Sequence, residues 1–497
     1  MAEVELKLEL DPAQAETLGG RLAELLGPSA AKPLVSTYYD TSDRRLRAAG
    51  LSLRIRRSGN RYLQTIKADA GGNAGLFDRA EWEVEIGGTE PDPRAIADTP
   101  LDHLAVPAWS LMPLFSSEVE RALWQIEEGD ARIELAFDRG CVLALGVVEP
   151  FCELELELKE GEPATLFAWL DRLGDVGGMR LGVRSKADRG YALVEQGAGA
   201  ASKAGPVLLG ITDTAGEAFA TIVRACLRHF RLNEPLILAA ADAEAVHQAR
   251  VALRRLRSAL SLFRPLLSDP ESEKMRAELK WLAALLGEAR NLDVLIGHID
   301  IVELKPRLDA ARADVYDRVC VGLNSPRSRG LILDIARWAE AGDWRGTTDF
   351  DKAGLRNLPV IRFAGQLLDR RRRKFRKAGR DIAGLDPAER HDLRIAAKKL
   401  RYAAEFFAGL YEDKRAKKRR RRFLAALDRI QTSLGELNDA ETGRDIIADL
   451  ARQDPDPLIA QRLEALAAER FDPDAGKGIS AAEAAFDDFA RVKRFWC

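Results

Sequence analysis

Five stretches in the first 160 residues alternate between ionic and apolar side chains. Glu3, Glu5, Lys7 and Glu9 interleave with Val4, Leu6, Leu8 and Leu10. Arg54 and Arg56 oppose Leu53 and Ile55. Glu81, Glu83 and Glu85 oppose Trp82, Val84 and Ile86. Arg132, Glu134 and Asp138 oppose Ile133, Leu135 and Phe137, and Glu153, Glu155 and Glu157 oppose Leu154, Leu156 and Leu158. A period of two predicts β-strands with two chemically distinct faces. Such strands can belong to an open sheet whose charged side is solvated. Alternatively, the sheet closes into a barrel, with a polar interior and an apolar outside covered by helices. Repeated Glu-x-Glu and Arg-x-Arg favour the second arrangement. Buried carboxylates and guanidinium groups tolerate one another only when paired or filled by a charged ligand. Arginines and lysines suit phosphate oxygens, and carboxylates suit hard divalent cations.

Short helical patterns at Pro12–Leu26 and Glu162–Leu173 separate some of these strands, which makes the first part α+β. Residues 197–206, GAGAASKAGP, have no periodicity and read as a linker. Helical patterns then run to the C-terminus. The net charge of −2 over 497 residues hides a split between these parts. Residues 1–200 carry 22 basic and 34 acidic side chains, whereas 201–497 carry 54 and 44. Oppositely charged modules predict different tasks. Five cysteines (Cys141, Cys152, Cys226, Cys320 and Cys497) lack C-x-x-C spacing, so neither a disulfide framework nor a thiolate metal site is expected. No apolar run approaches the ~20 residues of a membrane helix, and MAEVELKLEL does not read as a signal peptide. A cytoplasmic protein, with no membrane partner, is the expectation.

The N-terminal motifs carry a resemblance. EVELK at 3–7 resembles the ExExK signature of the CYTH superfamily, the triphosphate tunnel metalloenzymes. YYDT at 38–41, LRAAGLSLRIR at 46–56, TIK at 65–67, RAEWE at 79–83, Arg121, CELELEL at 152–158 and RSKADRGY at 184–191 follow in that family's order. The nearest resemblance is to bacterial inorganic triphosphatases, which carry this domain before a CHAD domain. It implies a closed antiparallel eight-stranded β-tunnel over residues 1–196. It also implies Mg2+ or Mn2+ on Glu3, Glu5, Glu153 and Glu155, and a triphosphate gripped by Lys7, Arg54, Arg56, Lys67, Arg121 and Lys186. Glu3 and Glu5 join these six cations as the implied catalytic set. Glu81, Glu83, Glu134, Asp138 and Glu157 would also face the lumen. No G-x-x-x-x-G-K-[ST] stretch is present, which excludes a P-loop.

The helical half repeats itself. His247-x2-Arg250-x3-Arg254-Arg255-Leu-Arg257 matches His391-x2-Arg394-x3-Lys398-Lys399-Leu-Arg401, 144 residues later and without a gap. Offsets of 0, 3, 7 and 10 fall within an arc of about 80° on a helix. Each run therefore makes a basic stripe, with Arg255 and Lys399 at its edge. Like charges at this spacing disfavour the helix unless they are solvated, paired or serve an anion. LGEARNLD at 286–293 and LGELND at 434–439 extend the repeat. These residues resemble the CHAD domain, which implies two duplicated helical bundles and binding of inorganic polyphosphate. The expected all-α domain spans 212–495, after a linker at 197–211, with repeats at about 212–345 and 360–495. The stripes lack interleaved aromatics for stacking, so nucleic acid is not the expected partner.

The resulting expectation is metal-dependent hydrolysis of tripolyphosphate to pyrophosphate and phosphate, beside a polyphosphate-binding module and in association with polyphosphate granules. The alternatives are a hydrolase or cyclase acting on thiamine triphosphate or a nucleotide, and a non-catalytic granule-binding protein.

Overall fold

The computed structural model describes residues 3–68, 76–174, 178–195, 199–267, 269–298, 304–453, 457–470 and 475–496. The chain forms two compact units. The first comprises Met1–Lys203, Leu227–Ala240 and Leu323–Asp343, and the second Ala204–Cys226, Ala241–Gly322 and Trp344–Cys497. No helix among the described residues is long and apolar enough to cross a membrane. Cys141, Cys152, Cys226 and Cys320 are free thiols.

The first unit is built on ten strands: β1 (Glu3–Leu10), β2 (Lys32–Asp40), β3 (Leu51–Ser58), β4 (Arg61–Ala68), β5 (Leu76–Arg79), β6 (Glu81–Ile86), β7 (Met112–Glu128), β8 (Ala131–Ala144), β9 (Val147–Glu160) and β10 (Arg180–Leu181). They pair antiparallel in the order β10-β1-β9-β8-β7-β2-β3-β4-β6, with β5 off this path against β1. The expected closed eight-stranded tunnel is therefore corrected. The sheet has ten strands, and its path ends at β10 and β6 without a ladder joining those ends among the described residues. The physical reason lies at Ala80, where the chain changes partner. Strand β6 stays on β4 (Lys67↔Glu81), while β5 turns to β1 (Glu3↔Arg79). The RAEWE motif at 79–83 thus straddles two short strands, and residues 180–181 add another.

The faces are sorted as the alternation requires. Leu6, Leu8, Ile133, Leu135, Leu154 and Leu156 have no solvent exposure. Each contributes roughly 1.5–3 kcal/mol by burial. Helix α1 (Ala15–Leu26) lies over β8, with Gly19 against Phe137, and supplies the buried Leu18 and Leu22. A second cluster joins Leu51, Leu53, Ile55, Ile66 and Ile86 to Leu46 on the single turn α2 (Arg45–Ala48). Helix α3 (Ala164–Leu173) packs on β9, and α4 (Lys186–Val194) crosses β7 and β8. The ionic faces look the other way.

The remaining helices are α5 (Ala215–Ala240), α6 (Ala243–Leu262), α7 (Pro270–His298), α8 (Lys305–Asn324), α9 (Pro326–Ala341), α10 (Phe350–Arg356), α11 (Val360–Ala378), α12 (Pro387–Phe406), α13 (Lys414–Gln453), α14 (Pro457–Arg470) and α15 (Ala475–Arg491). The C-terminal part of α5 and all of α9 belong to the first unit, where α9 meets α3 and β10. In the second unit, Phe219, Phe263, Phe363 and Phe407 form one aromatic core. Phe375, Phe423, Phe486 and Phe489 form another. The basic stripes fall on α6 and α12, two 20-residue helices capped by Asp242 and Asp386, 144 residues apart. Each aspartate accepts a hydrogen bond from a backbone N–H of the first turn, which fixes where its helix begins.

Candidate functional site

The ionic faces of the first unit enclose a cavity of about 440 Å³. Cross-strand register builds its walls in rows. Glu5 faces Glu157, which faces Glu134, and Lys7 faces Glu155 beside Ala136. On the other wall Tyr38 faces Arg54, Arg54 faces Thr65 and Thr65 faces Glu83, while Ser52, Lys67 and Glu81 form the adjacent row. Arg56 and Arg121 also line it. Lys186 enters from α4, whose start is fixed by a capping box between Ser185 and Asp188. That helix can approach because residue 190 is glycine. A Cβ there would lie 2.0 Å from the Phe115 ring. Tyr191 then donates to Asp40 at 2.8 Å, and Asp40 also accepts from the backbone of Leu46 and Arg47. The YYDT and RSKADRGY motifs are thereby joined.

Lys7, Arg54, Arg56, Lys67, Arg121 and Lys186, the six expected cations, all line this cavity, with Glu5, Glu81, Glu83, Glu134, Glu155 and Glu157. Glu153 and Asp138 lie beneath its floor with no exposure. The side chain of Glu3 lies outside the described residues. Tyr38, Ser52, Lys159 and Ser185 line the cavity without having been singled out in the sequence. Their signal was weak because each sits inside a motif that carries a stronger charge nearby.

The floor is a dense ion-pair network. Lys7 Nζ lies 2.7 Å from Glu153 and 3.3 Å from Glu155. Lys186 Nζ lies 2.8, 2.9 and 3.0 Å from Asp138, Glu153 and Glu155. Arg121 grips Asp138 through two bonds of 2.7 and 2.6 Å and reaches Glu155 at 2.7 Å. Burial pushes the Glu153 carboxyl up, but Lys186, Lys7 and Arg189 outweigh it and bring it down to about 2. Glu155 is held well below the usual carboxylate range by Lys186, Lys7 and Arg121, against its own burial. Lys186 and Arg121 are raised well above their ordinary values by the same partners, again against burial. Glu5 is the exception. Its burial and the neighbouring Glu155 raise its pKa, despite Lys7, Lys67 and Lys186.

This pattern tests the donor set for a metal. The oxygens of Asp138, Glu153 and Glu155 come within 4.8 Å of one another. Asp138 and Glu153 are buried, however, and already neutralised by ammonium and guanidinium groups. Glu5 and Glu155 both face the cavity, and their mutual repulsion is what a hard cation would relieve. An all-oxygen set of cavity-facing carboxylates fits such an ion. On the opposite wall Lys67 pairs with Glu81 at 2.7 Å and Arg56 with Glu83 at 3.0 Å. Burial and Arg54 lower the pKa of Arg56, with Glu83 opposing.

The second unit has a different electrostatic character. Burial, Arg254 and Arg290 lower the pKa of Arg250 to about 10. Burial and Arg290 also lower that of His247. The Arg250 guanidinium lies over Gly287, where a Cβ would stand 2.7 Å away, and Arg394 lies over Gly435 in the same manner, at 3.0 Å. Arg254 donates to the Tyr402 hydroxyl at 2.8 Å, so the stripes of α6 and α12 adjoin. Lys399 has its pKa lowered by burial and then by Arg371, Lys374, Arg257 and Arg276. Arg290, Arg276 and Tyr402, which were not among the expected polyphosphate-binding residues, belong to these surroundings. Not every member of the stripes is presented alike. Arg255 is buried, with its guanidinium 5.3 Å from the Phe406 ring, and Arg401 pairs with Glu405 at 2.8 Å. His247 is half-buried and His391 exposed.

The chain thus combines a sheet enclosing a charge-lined cavity with helices that carry basic stripes. Residues 1–191 match the CYTH domain and residues 221–448 the CHAD domain, so the chain carries a CYTH domain followed by a CHAD domain. Among curated proteins it is similar to the inorganic triphosphatase of Haemophilus influenzae, 31% identical over 194 residues, covering 39% of this chain and 55% of that one. The chain thus spans about half the length of that relative. Among solved structures it is similar to the CHAD domain of Ricinus communis, with 30% identity and a TM-score of 0.49 over 58% of this chain and 96% of that one. It is also similar to a putative adenylyl cyclase from Hippeastrum described as having a dominant triphosphatase activity. There the identity is 21% and the TM-score 0.29, over 39% of this chain and 96% of that one.

Proposed function

We propose that the first unit hydrolyses inorganic tripolyphosphate to pyrophosphate and phosphate, and that the helical stripes bind inorganic polyphosphate. The observation that carries the first part is the lining of one cavity by seven cations and six carboxylates. Lys7, Arg54, Arg56, Lys67, Arg121 and Lys186 bind and orient the phosphate chain. Arginine suits terminal oxygens through its planar pair of donors. Glu5 and Glu155, with the sequence neighbour Glu3, would hold Mg2+ or Mn2+, while Glu153 serves from beneath by orienting Lys7 and Lys186. The ion, when bound, withdraws charge from the phosphoryl oxygens. Glu134 and Glu157 lie on the carboxylate wall outside the floor network, where they orient water and accept its proton. Among the described lining residues only Ala136, Ala187 and the ring of Tyr38 are apolar, which supports an inorganic substrate over thiamine triphosphate or a nucleotide.

For the second part, support comes from cations whose neighbours are cations: Arg250 beside Arg254 and Arg290, and Lys399 beside Arg257 and Arg371. A flexible polyanion relieves that repulsion without base readout. The equal lengths, caps and spacing of α6 and α12, with the repeated passage of an arginine over a glycine, support an internal duplication of the helical bundles.

The test offers purified full-length chain tripolyphosphate, ATP and thiamine triphosphate with Mg2+ or Mn2+ while phosphate release is measured. Tripolyphosphate should be turned over fastest. Preference for ATP or thiamine triphosphate, or no turnover of any of the three, would overturn the reading.

A further inference from the structure

We propose that Arg231, on the C-terminal part of α5, is a positioning residue for the cavity: it keeps Lys7 and Lys186 available to phosphate by neutralising Glu9. This rests on the triphosphatase reading above. Arg231 lies within the stretch that matches the CHAD domain, yet it packs in the first unit. It is 3% exposed. Its Nε donates to the Leu181 carbonyl at 2.8 Å, which seats α5 on β10, the neighbour of β1. Its Nη2 lies 3.2 Å from one carboxylate oxygen of Glu9. The other Glu9 oxygen accepts from Arg189 at 3.0 Å. Arg189 in turn touches Glu153 at 3.3 Å, and the second oxygen of Glu153 is the one held by Lys7 and Lys186. The path from α5 to the cavity floor therefore passes through one carboxylate, one guanidinium and one further carboxylate, all largely buried.

Charge arithmetic along this path gives the role. Glu9 is shared between two guanidinium groups, Arg231 between Glu9 and the buried Glu234, and Arg189 among Glu9, Glu149 and Glu153; Glu234 has a second cationic partner in Arg180, whereas Glu9 depends on Arg231 and Arg189. Without Arg231, Glu9 remains largely buried with one cationic partner, and Arg189 is drawn toward it. Glu153 then loses part of its compensation and pulls harder on Lys7 and Lys186, the two ammonium groups that must turn to the substrate. Low local dielectric makes such a shift effective over three contacts.

The experiment compares Arg231→Met, Arg231→Lys, Glu9→Gln and the double variant Arg231→Met/Glu9→Gln in the full chain. Tripolyphosphate KM and kcat are read alongside the labelling rate of Lys7 and Lys186 by an amine-reactive reagent, followed by mass spectrometry. Arg231→Met should raise KM by about tenfold with a smaller change in kcat, and slow labelling of both lysines. Lysine at 231 should preserve most of both. The double variant should recover KM and labelling toward wild type, because the uncompensated Glu9 is gone while Glu234 keeps its pair with Arg180; a merely structural role predicts additive losses. Glu9→Gln alone should not raise KM, and this arm carries the test if Arg231→Met does not fold by circular dichroism. Unchanged KM and labelling in Arg231→Met, additive damage in the double variant, or a KM raised by Glu9→Gln would each overturn the proposal. Labelling does not depend on turnover. A wild type inactive on tripolyphosphate whose lysines still respond as described would defeat the functional reading while leaving the positioning role intact.

Discussion

Both units are rich in arginine and lysine, but their cations keep opposite company. In the cavity each cation has a carboxylate within contact distance, and the pairs reinforce one another: Glu153 and Glu155 are driven down while Lys186 and Arg121 are driven up. On the helical stripes Arg250 and Lys399 are driven down, first by burial and then by neighbouring cations, although Arg401 keeps a carboxylate partner. A self-neutralised site accepts a polyanion only by exchanging partners, and a divalent ion helps by occupying the released carboxylates. A self-repelling surface gains from any polyanion, with a strong dependence on salt. The first arrangement suits a selective reaction, the second retention of a long chain.

The largest expected effect comes from breaking the exchange. Glu155→Gln removes one charge from both the lysine clamp and the cation pair, and should lower tripolyphosphate turnover by at least about 10²-fold. Phosphate release with the fold checked by circular dichroism measures this; retained turnover would move the metal away from Glu155. Next is the buried floor. Glu153→Gln leaves Lys7, Lys186 and Arg189 short of a partner and should cost about 3–5 kcal/mol in urea unfolding. The linkage has a definite sign. The Glu153 carboxyl lies at about 2, below its ordinary 4.5, so its contribution is present above about pH 4.5 and is lost as pH falls toward 2. Glu5, raised instead of lowered, opposes that loss as it takes up its proton. Thermal melts across this window should show a shallower acid slope in Glu153→Gln than in wild type.

On the helical side, Arg250→Glu with Arg394→Glu should weaken polyphosphate binding by tenfold or more and flatten its dependence on salt concentration, as titrations at several ionic strengths would read. Unchanged affinity would make these stripes solvated helix faces. The smallest effect separates members of one stripe. Arg255→Ala should cost stability of about 1–2 kcal/mol, through lost packing on Phe406, while polyphosphate affinity stays near wild type. A loss of affinity without a loss of stability would show that Arg255 reaches the ligand after all.

Much of the cavity was legible because strand periodicity is local. Glu5-x-Lys7, Arg54-x-Arg56 and Glu153-x-Glu155 announce a face by themselves, and all but Glu153 of these six reach the lining. The same pattern could not rank carboxylates. Glu153 and Glu155 are two residues apart on one face, yet one lies beneath the floor and the other faces the ligand space, a difference set by where Lys186 and Arg189 descend from α4. Strand count and closure were misjudged because the break at Ala80 depends on which neighbour each half of that segment finds. The basic stripes were legible from helical spacing, but the burial of Arg255 was not, since Phe406 and Glu405 come from another helix.

Sequence alone settled which side chains share a face, where the composition changes character, and that ionic surfaces of two kinds exist, because each follows from the repeat distance of one strand or one helix. Tertiary structure decided which charges meet. That choice depends on contacts between residues far apart in the chain, such as Arg231 with Glu9 and Lys186 with Asp138, whose energies exist only once water has been excluded from around them.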